Sequence, residues 1–177
     1  MKKYFCIILL ISAANLLNAQ DIIINGRKGN RLLTWNDFKG EPDMNSSHDA
    51  LTFWNIDYGL KNIRQKGDTM KIGEFTVTLS LEGDQCWIKP QKKSERLLKH
   101  EQGHFDIGLI CQHEIINTLN NTVFFKADFQ QKINSIFSSL LNKYQSLGRQ
   151  YDKETNHSIN QQSQDTWNAF FDKELNR

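Results

Sequence analysis

The sequence predicts an α+β fold, with a small antiparallel sheet in the N-terminal half followed by three helices. Two patterns carry this expectation. Phe75, Val77, Leu79 and Leu81 alternate with Thr76, Thr78, Ser80 and Glu82, the period-two mark of a strand with one buried face. No proline occurs after Pro90, and apolar residues recur at helical spacing from there to the end of the chain. Strand signals grouped ahead of helix signals give an α+β domain rather than a βαβ repeat.

The first residues stand apart from the rest. Lys2 and Lys3 precede the short apolar run Tyr4 to Ile11, and Leu17-Asn18-Ala19 offers a small residue for cleavage before Gln20. This is the layout of a secretory signal peptide over residues 1–19, too short and too poorly flanked for a spanning helix. Cys6 lies too early in the run for a lipid-modified cysteine at the cleavage point. The expectation is an exported protein, periplasmic or secreted, with no membrane anchor after cleavage. Residues 20–177 would then form a single domain, long enough to bury a core without disulfides. Export makes a bond between Cys86 and Cys111 available, and two buried thiols are the alternative.

Strand signals come first in the mature chain. Asp21 to Gly26 reads as a short strand ending in a turn. Leu33 to Phe38 places apolar residues around a helical turn at Asp37, and residues 39–49 are rich in turn formers. Thr52 to Leu60 and Met70 to Glu82 read as strands, with a hairpin turn at Lys66-Gly67-Asp68. Gln85 to Lys89 adds one more short strand. The helices follow. Lys92 to Asn120 is the first, with Lys93 or Ser94 near its start. Phe124 to Leu147 is the second, with Gly148 as its terminator. Ile159 to Leu175 is the third, with Trp167, Phe170 and Phe171 on its core face. The net charge of +2, without a block of like charges, gives no reason to expect nucleic acid or an anionic membrane as partner.

The chemistry is concentrated in His100-Glu101-Gln102-Gly103-His104. Residues four apart on a helix share one face, about 6 Å apart along the axis, so both imidazoles can reach one metal ion. Glu101 projects beside that ion, where it can take a proton from a bound water. This is the HExxH arrangement of zinc hydrolases, and Zn²⁺ is the expected cofactor.

A catalytic zinc needs a third protein ligand and an open position. Helix geometry turns Asp106 and His113 away and places Glu114 too far along the axis. The polar stretch Tyr151 to His157, read as a connection between helices, supplies His157 as the first choice. Asp152, Glu154 and Asp128 rank behind it, and His48 is an upstream outsider. Tyr151 is a speculative oxyanion donor, with packing at a helix end as an equal alternative.

The run His100 to Ile107 resembles the signature of an uncharacterised bacterial family described as predicted secreted zinc-dependent proteases. Leu33 to Phe38 is similar to that family's opening motif. Tyr151-Asp152 through Thr155-Asn156-His157, with Gln161 or Gln162 and Trp167 beyond, is similar to its C-terminal motif. The resemblance spans about residues 32 to 168. It implies a zincin-like metallopeptidase domain with His100 and His104 as ligands and Glu101 as acid/base, and His157 matches the family's late histidine. Two positions depart from the pattern: Ser158 stands where glycine is expected, and Leu109 where an acidic residue is expected. The resulting expectation is a zinc metallopeptidase acting on peptide or protein substrates. The alternatives are a zinc hydrolase of another amide, such as a cell-wall crosslink, and a non-catalytic, zinc-stabilised binding module.

Overall fold

The structure is a computed structural model that describes residues 17–176. The leader expectation for residues 1–16 therefore lies outside the described residues. The chain begins with β1 (Leu17–Ile24), and Asn25 and Gly26, with φ of 53° and 74°, make the tight turn into β2 (Arg27–Lys28). An Asn-Gly pair suits such a turn because both residues tolerate the left-handed region. The short turn Trp35–Asp37 follows, capped reciprocally by Thr34 and Asp37. Then come β3 (Ala50–Leu51), β4 (Trp54–Lys61), β5 (Arg64–Lys66), β6 (Thr69–Lys71), β7 (Glu74–Leu81) and β8 (Trp87–Ile88). The helical half holds α1 (Glu95–Asn121), the two-residue β9 (Phe124–Phe125), α2 (Phe129–Thr155) and α3 (Gln161–Glu174).

The α+β architecture is as the sequence predicts: small, largely antiparallel sheets followed by three helices. The main sheet has the order β2-β1-β7-β4, and smaller ones pair β3 with β8 and β5-β6-β9. One pairing departs from antiparallel. β1 runs parallel to β7, with Gln20 opposite Val77 and Ile24 opposite Leu81. Strands β2 to β6 lie between them in sequence, which is ample for the crossover that a parallel pair needs.

The alternation in β7 sets the core. Phe75, Val77, Leu79 and Leu81 are at most 3 % exposed and face α1. Each such side chain contributes about 1.5–3 kcal/mol by leaving water. On α1, Gly108 lets the helix approach the sheet. A Cβ there would stand 2.9 Å from Leu79 Cδ1 and 3.0 Å from Trp54 Cδ2. Ser94 caps α1, its side chain accepting from the Leu97 N–H at 3.2 Å. No helix among the described residues is long and apolar enough to cross a membrane.

Two expectations are corrected here. Gly148 does not end the second helix, and α2 continues for two more turns to Thr155. Glycine inside a helix costs about 1 kcal/mol against alanine. Burial of Tyr151 and Thr155, both 0 % exposed, outweighs that. The stretch Tyr151 to Thr155 is therefore the last part of a helix and not a loop. Cys86 and Cys111 take the thiol alternative, both free and buried. Burial raises the Cys86 pKa to about 11 and that of Cys111 to about 12, so both stay protonated.

Candidate metal centre

α1 carries His100, Glu101 and His104 into a cleft of about 710 Å³. The two imidazoles lie on one face of the helix, their ring centroids 5.0 Å apart and their planes nearly perpendicular at 88°. The end of α2 faces them. Asp152 Oδ1 lies 3.2 Å from His100 Nε2 and 2.8 Å from His104 Nε2. His157, just past the helix end, brings its Nδ1 to 3.4 Å from the same oxygen. Three imidazoles thus surround one carboxylate oxygen.

These distances bear on whether a metal fits. Donors around a tetrahedral zinc at about 2.0–2.1 Å stand about 3.3 Å from one another. The contacts of Asp152 Oδ1 with His100 and His157 fall at that spacing, and the contact with His104 is shorter. Potential ligand atoms of His100, Asp152 and His157 all lie within 4.8 Å of one another. A carboxylate oxygen offers two lone pairs, too few for three good hydrogen bonds, whereas one dication satisfies all the donors together. The donor set of imidazole and carboxylate suits zinc.

The electrostatics are those of an anionic socket. Burial acts against the charged form of Asp152. Its hydrogen bonds from His100 and His104, and their charge, overcome that and hold the carboxyl far below its usual range. Burial likewise works against a charged His104, but the bond to Asp152 and the charges of Glu101 and Asp152 prevail and raise its pKa.

Behind the donors, a network fixes His100. The amide nitrogen of Gln164, on α3, donates to the Tyr151 hydroxyl at 2.7 Å, and that hydroxyl donates to the His100 carbonyl at 3.1 Å. This leaves Gln164 Oε1 to accept from His100 Nδ1, 3.1 Å away. With its proton held at Nδ1, the ring presents Nε2 to the metal position, the tautomer a ligand needs. Tyr151 is therefore corrected as an oxyanion donor. It is 0 % exposed, stacks on His100 with centroids 4.6 Å apart, and spends its hydroxyl within the protein. It is a positioning residue.

The other candidates separate clearly. Glu101, 3 % exposed, borders the cleft and accepts a hydrogen bond from Thr52 Oγ1 at 2.7 Å. Glu154 points to α3, where it accepts from Trp167 Nε1. Asp128 stands at the N-cap position of α2, at the opposite end of that helix. His113 and Glu114 lie away from the cleft, Glu114 bonded to Lys143 and Tyr144. His48 enters the cleft, with its Nδ1 3.2 Å from His157 Nδ1. Sequence reasoning missed Thr52 and Gln164. Neither belongs to a local pattern, and the glutamines that the motif suggests, Gln161 and Gln162, are both exposed on α3.

His157 is held by unusual backbone. Asn156, His157 and Ser158 all have positive φ, at 47°, 51° and 76°. Each costs about 1–2 kcal/mol for a residue other than glycine, and such strain concentrates at functional sites. This explains why glycine is expected at position 158. Ser158→Gly should relieve that strain at a smaller entropic cost in the unfolded chain, for a net gain of about 0.5–1 kcal/mol. Calorimetry should show a melting temperature raised by roughly 1–4 °C. An unchanged or lower value would mean the turn is not strained.

No curated protein and no solved structure matches the chain. A bacterial family does match, over residues 20–158, a span that includes most of β1, the HExxH helix, all of α2 and His157. That family is described as "Bacterial protein of unknown function (DUF922)", and the chain belongs to it.

Proposed function

We propose that this protein is an exported zinc-dependent peptidase. The observation that carries the reading is the convergence of His100, His104 and His157 on Asp152 Oδ1, with Glu101 beside them in an open cleft. The zinc donors would be the two Nε2 atoms of α1 and His157 Nδ1, the three imidazoles that meet at Asp152 Oδ1, which leaves a fourth position open. When bound, zinc supplies the charge that acidifies a water and polarises a scissile carbonyl. Glu101 accepts the proton of the attacking water and delivers it to the leaving amine. Thr52 holds the Glu101 carboxylate in place through Oε2. Gln164 and Tyr151 hold His100 from behind. The cleft supports a peptide-sized substrate: the extended segment Ala50 to Asn55 forms one wall, with Leu51 and Phe53 exposed along it. Export rests on the pattern of residues 1–19 alone.

A second reading has one observation in its favour. Four protein donors within reach are enough to close a zinc site, as in a zinc-stabilised binding module without turnover. The peptidase reading is preferred because the donors are imidazole and carboxylate without cysteine thiolate, and because a buried carboxylate stands beside them at an open cleft.

Purified protein should carry about one zinc per chain, cleave an unfolded protein substrate, and lose that activity on chelation while remaining folded. A parallel assay on peptidoglycan separates peptide from cell-wall amide hydrolysis. Chelation that unfolds the protein, with no cleavage of either substrate, would establish the binding-module reading. A folded protein that takes up no zinc would end both.

A further inference from the structure

We propose that His48 is an additional, displaceable zinc ligand, so that the chain carries its own plug for the metal's substrate position. This rests on the zinc reading above and adds regulation to the same site. His48 Nδ1 lies 3.2 Å from His157 Nδ1, close to the spacing of two donors on one ion. The two rings are nearly perpendicular, at 83°, with centroids 4.4 Å apart. His100 and His104, which both face Asp152, have the same mutual orientation at 88° and 5.0 Å. His48 also borders the cleft that holds Glu101.

The neighbouring chain presents this ring. Lys89 Nζ donates to the Ser46 carbonyl at 2.7 Å, Lys89 N–H to the Asp49 carbonyl at 2.9 Å, and Lys92 pairs with Asp49 at 3.3 Å. The His48 N–H itself is bonded to Ser46 Oγ at 3.1 Å. Upstream, residues 41–45 are mostly exposed and bond within turns of their own, Asn45 N–H to Asp43 Oδ1 at 2.9 Å and Ser46 N–H to the Asp43 carbonyl at 3.2 Å. The histidine is thus anchored through Ser46 and Asp49 on either side of it, at the end of an exposed segment that bonds mainly to itself. His100 and His104, by contrast, are built into a buried helix. Of the four imidazoles, His48 is the one whose withdrawal disturbs least, and withdrawal frees a position facing the cleft for water or substrate.

X-ray absorption on the zinc-loaded wild-type protein should count four imidazoles per ion, contributed by His48, His100, His104 and His157. A count of three would overturn the proposal and leave the zinc reading intact. In His48→Ala, cobalt substitution should give a changed visible spectrum. Zinc affinity should fall about tenfold or more, and azide should bind the cobalt form more tightly because a position has opened. Spectra and azide affinity equal to wild type would again refute His48 alone. Failure of the wild-type protein to bind cobalt or zinc would instead sink the underlying reading. The absorption measurement needs no variant, so misfolding of His48→Ala leaves the test in force.

Discussion

Glu101→Gln is expected to lower turnover of an unfolded protein substrate by about 10²- to 10⁴-fold, the span typical of a lost general base, while zinc content stays at the wild-type level. The separation of the two readouts follows from the geometry. Glu101 is not among the groups that meet at Asp152 Oδ1, so the metal donors are untouched. Glutamine has the same shape and still offers an oxygen to the Thr52 hydroxyl, which now sits 2.7 Å from Oε2. The side chain is 3 % exposed, so a change of volume there would disturb packing, but glutamine avoids one. What disappears is the ability to hold a proton between water and leaving group. Metal analysis beside the cleavage assay checks this. Turnover within a few-fold of wild type would remove Glu101 as base, and loss of zinc would make it a ligand.

How far the sequence led depended on whether the relevant contacts were local. The pair His100 and His104 was legible because a helix turns a spacing of four into a shared face, and Ser94 marks the start of that helix. The buried face of β7 was legible for the same reason at period two. In the sequence His157 ranks ahead of Asp152 as the only histidine after the motif helix, and Gly148 as a terminator puts residues 151–157 in a connection. With α2 continued to Thr155, helical spacing places Gly148 and Asp152 on one face, next to the His104 ring. Tyr151 and Thr155 then share the adjacent face, toward His100 and α3. Space does not require the glycine there, since a Cβ on Gly148 would make ordinary contact, 3.8 Å from His104 Nδ1; it is tolerated because burial of Tyr151 and Thr155 outweighs its cost. Gln164, Thr52 and the parallel β1–β7 pair were not legible at all. Each depends on contacts between residues far apart in sequence, whereas the left-handed run at Asn156 to Ser158 is closed by backbone bonds from the His157 N–H to the Asp152 carbonyl and from the Asn160 N–H to the Thr155 carbonyl.

Gly103→Ala should destabilise the fold and weaken the zinc site together, although alanine is the better helix former. Helix propensity alone favours alanine by about 1 kcal/mol. Against it stands the packing behind the motif. A Cβ on residue 103 would lie 2.4 Å from the Tyr151 hydroxyl oxygen, 2.7 Å from its Cζ and 2.9 Å from Phe171 Cε2. Tyr151 is fully buried between His100, Trp167 and Phe171, so it has no free direction in which to retreat. Overpacking of this kind costs about 1–3 kcal/mol, and displacing the hydroxyl also breaks its bonds to the His100 carbonyl and Gln164. A net loss of about 2 kcal/mol corresponds to a melting temperature lower by roughly 4–8 °C. Because Gln164 also fixes the His100 tautomer, zinc affinity should drop about 10- to 100-fold. The double variant Gly103→Ala/Tyr151→Phe locates the cause. Without the hydroxyl the tightest contact is gone, so Gly103→Ala should cost less in the Tyr151→Phe background than in the wild type. Additive losses would show that the glycine is not there to admit Tyr151. A Gly103→Ala protein with wild-type melting temperature and zinc affinity would show that nothing presses on that face of the motif.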